Sequence, residues 1–281
     1  LWLRIARGSI QKVDDGYYEV DSQWKTRVSS DTAEAVLRTV DGAQELLIKI
    51  EFLEGNLDAC SATASAVLNE DPDNQIAARF RVRCNLRRGG YESALPLAER
   101  LAEQHPRSIV FQALHADVPD ALGETDRAQT TRRAIVELLN AQQRFDTMTF
   151  VAASEAMRAI HQFDAANQCF QIAQDLDIND PFVKLEKIRL FRATQGYAIA
   201  EKTAYELTQF NPSIAMAYAE WAEIKWDMRI KEEDVAQMCH KALELDSSLL
   251  DARCRLIFYA MLKDDREKTA ELIARSLAMN P

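Results

Sequence analysis

Three stretches decide the fold: ESALPLAERLAEQHP (residues 92–106), DAANQCFQIAQDLDI (164–178) and EKTAELIARSLAMNP (267–281) are one pattern written three times. In each, a polar start leads into apolar residues spaced for one helical face, and a polar residue followed by proline or a substitute closes the segment. The closing positions keep a period. Pro72 to Pro106, Ile178 to Pro212 and Ser247 to Pro281 are each 34 residues, and Pro212 to Ser247 is 35. A fixed period of this size marks a supersecondary unit too small to bury its own apolar face, so neighbouring units must stack.

The stretches that precede these segments are also helical in pattern. ELLIKIEFL (45–53), AARFRVRCNL (77–86), FVKLEKIRLF (182–191) and AYAEWAEIKW (217–226) place apolar residues at i, i+3, i+4 and i+7. Gly55, Gly89, Gly90, Gly123 and Gly196 fall between the two halves, where one helix must end and the chain reverse. Ala94, Ala128, Ala166, Ala200 and Ala242 recur in the second halves, and such small side chains let two helices cross closely. The unit is therefore helix, short turn, helix, turn.

Some segments depart from the rule. From Asn140 to Ile178 is 38 residues, and the extra AQQRFD (141–146) extends a helix or its entry loop. Pro119 falls near the end of a first helix, where it removes a donor and clashes one turn back, so that helix should be short or kinked. Residues 1–38 do not match a unit. GYYEVDSQWKTRVSS (16–30) has the aromatic and β-branched texture of strand, and SSDTAEAVLRTV (29–40) reads as a helix start capped by Ser30 or Asp31. Residues 1–38 are read as an irregular leader or the end of a preceding domain. The start at Leu1-Trp2 and the stop at the unit-closing Pro281 read as those of a fragment.

These units resemble tetratricopeptide repeats. Ala166, Phe170 and Ala173 before Ile178 match the family's small, aromatic, small pattern, and Ala242 with Leu243 in ALELD fits it too. Gly89 with Tyr91, and Gly196 with Tyr197 in shifted form, match its mid-unit turn, and Tyr218 occupies the first-helix aromatic position of one unit. Asn140 stands where proline is expected. The resemblance covers residues 39–281 and implies an all-α, right-handed α-solenoid of about seven helix pairs following the leader.

Length and composition fit such a stack. The chain has 281 residues, 47% hydrophobic and 28% charged, with eight glycines and seven prolines mostly at unit turns. A formal charge of -10 argues against general affinity for nucleic acid or anionic lipid, both of which need a broad basic face. Cys60, Cys84, Cys169, Cys239 and Cys254 are odd in number, scattered and without a CxxC pair, so they read as buried structural thiols in a reducing, cytoplasmic setting. The sequence shows no signal-peptide order and no long apolar span.

Signatures of chemistry are equally missing: no phosphate-binding glycine loop, GxSxG, HExxH or metal-spaced Cys/His cluster is present. His115 and Asp117 point to different faces of a helix, and Glu232 with Glu233 reads as a solvated helix start at the positive dipole end. Neither a catalytic residue, a cofactor nor a metal is expected.

One arrangement rises above background. If the second unit starts near Gln75, Arg79, Arg83 and Arg87 lie at i, i+4 and i+8 on one face of its first helix. In tetratricopeptide-like stacks the first helices line the concave groove, so the resemblance puts these three arginines in it, with Arg189 and Arg192 comparably placed in the fifth unit. The alternative is that they pair with acids of adjacent units, such as Glu45 or Asp117. Lys49 and Trp226 complete the candidate partner-binding set. The asparagines of the family's carboxylate-clamping subset are missing from the first units, although Lys49 and Arg83 are present.

The expected function is a non-catalytic interaction scaffold or adaptor, holding a peptide or helix of a protein partner in its groove. An acidic partner segment suits the arginines, and self-association can use an uncapped C-terminal end. The alternative is the repeat region of a larger enzyme, such as a glycosyltransferase or sulfotransferase, with its catalytic domain elsewhere. Reversing Arg83 and Arg87 to glutamate is expected to abolish partner capture with little change in melting temperature.

Overall fold

The chain is described from a computed structural model that covers residues 10–14, 17–20, 26–29, 43–141 and 146–279. Fourteen helices among these residues pair into seven helix–turn–helix units. The first four units are α1 (Ala43–Leu53) with α2 (Leu57–Glu70), α3 (Gln75–Arg87) with α4 (Tyr91–Gln104), α5 (Ile109–Ala121) with α6 (Thr125–Ala141), and α7 (Thr147–Ala159) with α8 (Phe163–Leu176). The last three are α9 (Pro181–Ala193) with α10 (Tyr197–Phe210), α11 (Ala215–Asp227) with α12 (Glu232–Leu245), and α13 (Leu250–Leu262) with α14 (Arg266–Met279). The architecture is the all-α solenoid of about seven helix pairs that the period predicts.

Local chemistry explains the boundaries. Asn74, Ser108, Asp146 and Asp180 cap α3, α5, α7 and α9, each accepting from a backbone N–H of the first turn at 2.7–3.3 Å. The turn inside each pair carries one residue with positive φ: Gly55, Gly89, Gly123, His161, Gln195, Arg229 and Asp264. These seven positions repeat the period in backbone conformation, and glycine fills only three of them. Gly196 therefore follows the left-handed residue of its turn and does not supply it.

The crossing alanines Ala94, Ala128, Ala166, Ala200 and Ala242 are all fully buried, as their recurrence requires. Three of the four extra residues of the 38-residue unit are taken up by α6, which runs 17 residues where the other second helices run 14. Pro119 does not shorten its helix, one of the two outcomes expected of it: α5 continues through it to Ala121 and keeps the 13 residues common among the first helices. In the last turn, the proline forfeits a single bond to the carbonyl one turn back, and the following N–H groups of Leu122 and Gly123 are still satisfied.

Ahead of the helices, β1 (Ile10–Asp14), β2 (Tyr17–Val20) and β3 (Thr26–Ser29) form an antiparallel sheet in that order. Tyr18 pairs with Lys12 on one side and Val28 on the other. The leader read as irregular thus contains a small meander, in keeping with the strand-like texture of its sequence. The helix start expected at Ser30 or Asp31 lies outside the described residues. No described helix is long and apolar enough to cross a membrane.

Candidate functional site: the axial cavity

The first helix of every pair turns one face toward the axis of the stack. Repeat spacing puts Lys49, Arg83, Asp117, Glu155, Arg189 and Glu223 at the same position of six successive first helices. This inward column is charged almost without interruption. Buried charges must be paired to be tolerated, and here they pair across units.

Glu155 is the hub. Its Oε2 accepts from Arg79 at 2.6 Å and from Arg83 at 2.5 Å, and its Oε1 lies 3.8 Å from Arg189. Burial works to raise the Glu155 pKa, but the guanidinium groups of Arg83, Arg79 and Arg189 outweigh it and hold the carboxyl at about 2. Arg189 donates to Glu220 Oε1 at 2.5 Å, while Glu220 Oε2 is sealed from solvent without a hydrogen-bond partner among the described residues. Arg192 bonds Glu223 at 3.0 Å, and Arg255 grips the same carboxylate through two nitrogens at 2.9 and 2.6 Å.

Arg87 reaches further, to the Asp246 carboxylate at the end of α12, and its guanidinium stacks over the Phe52 ring 4.9 Å from the centroid. Lys49 lies 3.7 Å from Asp180. Trp226 is half-buried under Arg255, 4.3 Å from its ring centroid. Each candidate from the sequence is therefore engaged within the chain. The arginines pair with the chain's own acids, but only in part between adjacent units as the alternative reading held: Arg189 and Arg192 bond Glu220 and Glu223 of the next pair, whereas Arg79 and Arg83 reach past one pair to Glu155 and Arg87 reaches Asp246, and Arg83 also lies 4.0 Å from Asp117.

Beside this network lies a cavity of about 460 Å³, within the range of small-ligand sites. All seven first helices contribute to its wall, from Phe52 on α1 to Asp251 on α13. Its lining is mixed, with apolar side chains such as Phe182, Leu185, Met216 and Leu250 beside charged ones such as Arg83, Asp117, Arg132 and Glu155. Asp251 is exposed and makes no hydrogen bond or ion pair among the described residues, and partial desolvation beside the carboxylates of Glu220 and Glu223 raises its pKa. A second cavity of about 200 Å³, beside Arg192 and Arg255, shares Glu220 and Asp251 with the first.

Sequence reasoning singled out the arginines and missed the acids that hold them. The signal was present, because stepping from Arg83 by the repeat period lands on Asp117, Glu155 and Arg189 in turn. His115 and Asp117 do stand apart: His115 meets Arg127 at 3.4 Å, and Asp117 belongs to the axial network. No group of three His, Cys, Asp or Glu side chains among the described residues is arranged to hold a metal ion.

No protein-family model and no curated protein matches the chain. Solved structures do resemble it. A tetratricopeptide repeat protein from Parabacteroides merdae superposes with a TM-score of 0.53 at 14% identity, covering 85% of this chain and 94% of that one. Human IFIT1, in a dimer with PPP-AAAA, gives a TM-score of 0.57 at 11% identity over 88% of this chain and 65% of its own. The same human protein as a dimer with m7Gppp-AAAA gives 0.55 at 13% identity, covering 89% of this chain and 63% of that chain. At such identities the likeness is one of fold.

Proposed function

From a divergent tetratricopeptide-like stack, we propose that this protein is a non-catalytic interaction scaffold that receives a peptide or helix of a protein partner at its axial cavity. The observation that carries the reading is the convergence of all seven first helices on one cavity lined by both apolar and charged side chains. The scaffold runs from about residue 39, with residues 1–38 as its leader, and the five unbridged cysteines suit a cytoplasmic setting. Arg79, Arg83, Arg87, Arg189 and Arg192, with Lys49 and Trp226, form the partner-facing set. An acidic partner segment would work by exchange, its carboxylates replacing Glu155 or Asp246 on the arginines. The oligonucleotides in the human IFIT1 structures do not carry over, because the axial arginines here are already bonded to carboxylates and the formal charge is -10.

The test is a displayed-peptide selection on the whole chain, followed by calorimetry of the selected peptides on two variants. Met216→Trp fills the cavity, and Ile172→Trp alters an exposed residue of α8 that does not line it. A loss of affinity of tenfold or more in Met216→Trp alone, with unchanged helicity, supports the reading. Equal binding to both variants would sink it.

A second surface rests on its own observation. Phe258, Met261 and Leu262 on α13, with Ile273 and Leu277 on α14, are large apolar side chains left 41–61% exposed. We take this face as the surface for self-association of the chain.

A further inference from the structure

Asp71, Asp177 and Asp246 occupy the same place in the repeat, directly after a second helix, and each folds onto the following turn. Their Oδ1 atoms accept from the backbone N–H groups of Asp73, Asn179 and Ser248 at 3.3, 3.1 and 2.9 Å. Asp71 is exposed and Asp177 half-buried, as turn residues usually are. Asp246 is only 4% exposed, because the stack curls until the α1–α2 turn lies against it.

The fit there is specific. Asp246 Oδ2 holds the Arg87 guanidinium, and Arg87 also donates to the Phe52 carbonyl at 3.5 Å. A Cβ on Gly55 would stand 2.6 Å from Asp246 Cβ, so the close approach requires a residue with no side chain. The same turn meets the loop before α11 through Glu54 and Ser213 at 3.4 Å. These contacts join the first two helix pairs to the last three across the axis. Arg87 and the neighbouring Ser248 both line the cavity, so the junction sits at its edge.

We propose that Gly55, Arg87 and Asp246 form a latch that holds the superhelix closed over its axial cavity, and that releasing it opens the cavity. That an opened cavity admits a partner rests on the functional reading above; the opening itself does not. Opening separates Phe52 from Phe182, whose ring centroids are 6.5 Å apart, and uncovers apolar surface.

Two glycines supply a matched comparison. Gly55 and Gly123 take φ of +78° and +81° at equivalent turns, but nothing lies within 4 Å of a Cβ added to Gly123. Alanine imposes the same backbone strain at both and meets Asp246 at one. Small-angle scattering and hydrophobic-dye binding on the whole chain read the result, with circular dichroism as the check on folding. Gly55→Ala and Asp246→Asn should raise the radius of gyration by about 5%, on the order of 1 Å, and bind dye with helicity retained, while Gly123→Ala stays like the wild type. Dimensions and dye binding in Gly55→Ala and Asp246→Asn that match Gly123→Ala would overturn the latch. So would loss of helicity in these two variants, which would make the contact part of the cooperative fold. Peptide binding is measured separately, so the latch and the cavity reading can fail independently.

Discussion

Phe80 on α3 and Phe182 on α9 place their rings 5.2 Å apart across the axis, although 102 positions separate them in the chain. Phe52 on α1 adds a third ring 5.0 Å from Phe80. In a simple stack each pair touches its neighbours, and this trio instead joins the first, second and fifth pairs.

Phe80 is fully buried at the centre of that trio. Phe80→Ala should cost about 3–5 kcal/mol, by lost transfer energy and a cavity that the flanking helices cannot fill. Urea denaturation measures it, and a loss under about 1 kcal/mol would mean that the cross-axis packing is not holding the pairs together.

Reversal of the groove arginines should disturb the fold as well as any partner. Arg83 and Arg87 are 18% and 14% exposed and bonded to Glu155 and Asp246. Glutamate at either site leaves a buried carboxylate facing another, a break worth about 3–5 kcal/mol. This is opposite to the expectation from sequence that melting would hardly change, and thermal denaturation of each single variant decides between them.

Acid should weaken the axial network in a defined window. Glu155 is held at about 2 against its usual 4.5, so its contribution is present in full above pH 4.5 and is lost as the pH falls toward 2. That shift corresponds to about 3 kcal/mol. The stability advantage of the wild type over Glu155→Gln, followed by urea denaturation from pH 7 to pH 3, should shrink through that window; a constant difference would show that the arginines do not hold the carboxylate ionised.

Thiol reactivity should follow burial. Cys60, Cys84, Cys169 and Cys239 are buried and Cys254 is half-buried, and burial pushes Cys169 up to about 11 and Cys239 up to about 12. One equivalent of a maleimide should label Cys254 first in the native protein, with the other four reacting only on unfolding; peptide mapping reports the order.

If the α13–α14 face mediates self-association, Leu277→Glu should reduce it. Leu277 is 61% exposed, so folding should hardly change. Sedimentation over a concentration series should show association in the wild type and its weakening in the variant, and identical profiles would remove this surface from consideration.

Much of the fold was legible because each unit must bury the same face. That demand writes the period into the closing prolines and the crossing alanines; the capping Asn74, Ser108, Asp146 and Asp180 recur at the same place in their units but emerged only with the structure. Glycine was a partial guide to the turns, since His161, Gln195, Arg229 and Asp264 adopt the same left-handed conformation. A side chain costs strain there without forbidding the turn.

Which charges meet was not legible locally. Arg79, Arg83 and Arg87 stand on one face of one helix by spacing alone, as read from the sequence. Whether that face met solvent, a partner or the chain's own acids depended on how far the stack curls with each added pair. That curvature sums small rotations at every interface, and no single segment encodes it. The sequence by itself determined the period, the helix pairs, the placing of Arg79, Arg83 and Arg87 on one helix face and the absence of recognisable catalytic motifs. Only the tertiary structure decided that the column closes on itself at Glu155, and that one repeated turn aspartate, Asp246, is buried against Gly55 while its equivalent Asp71 stays exposed and Asp177 only half-buried.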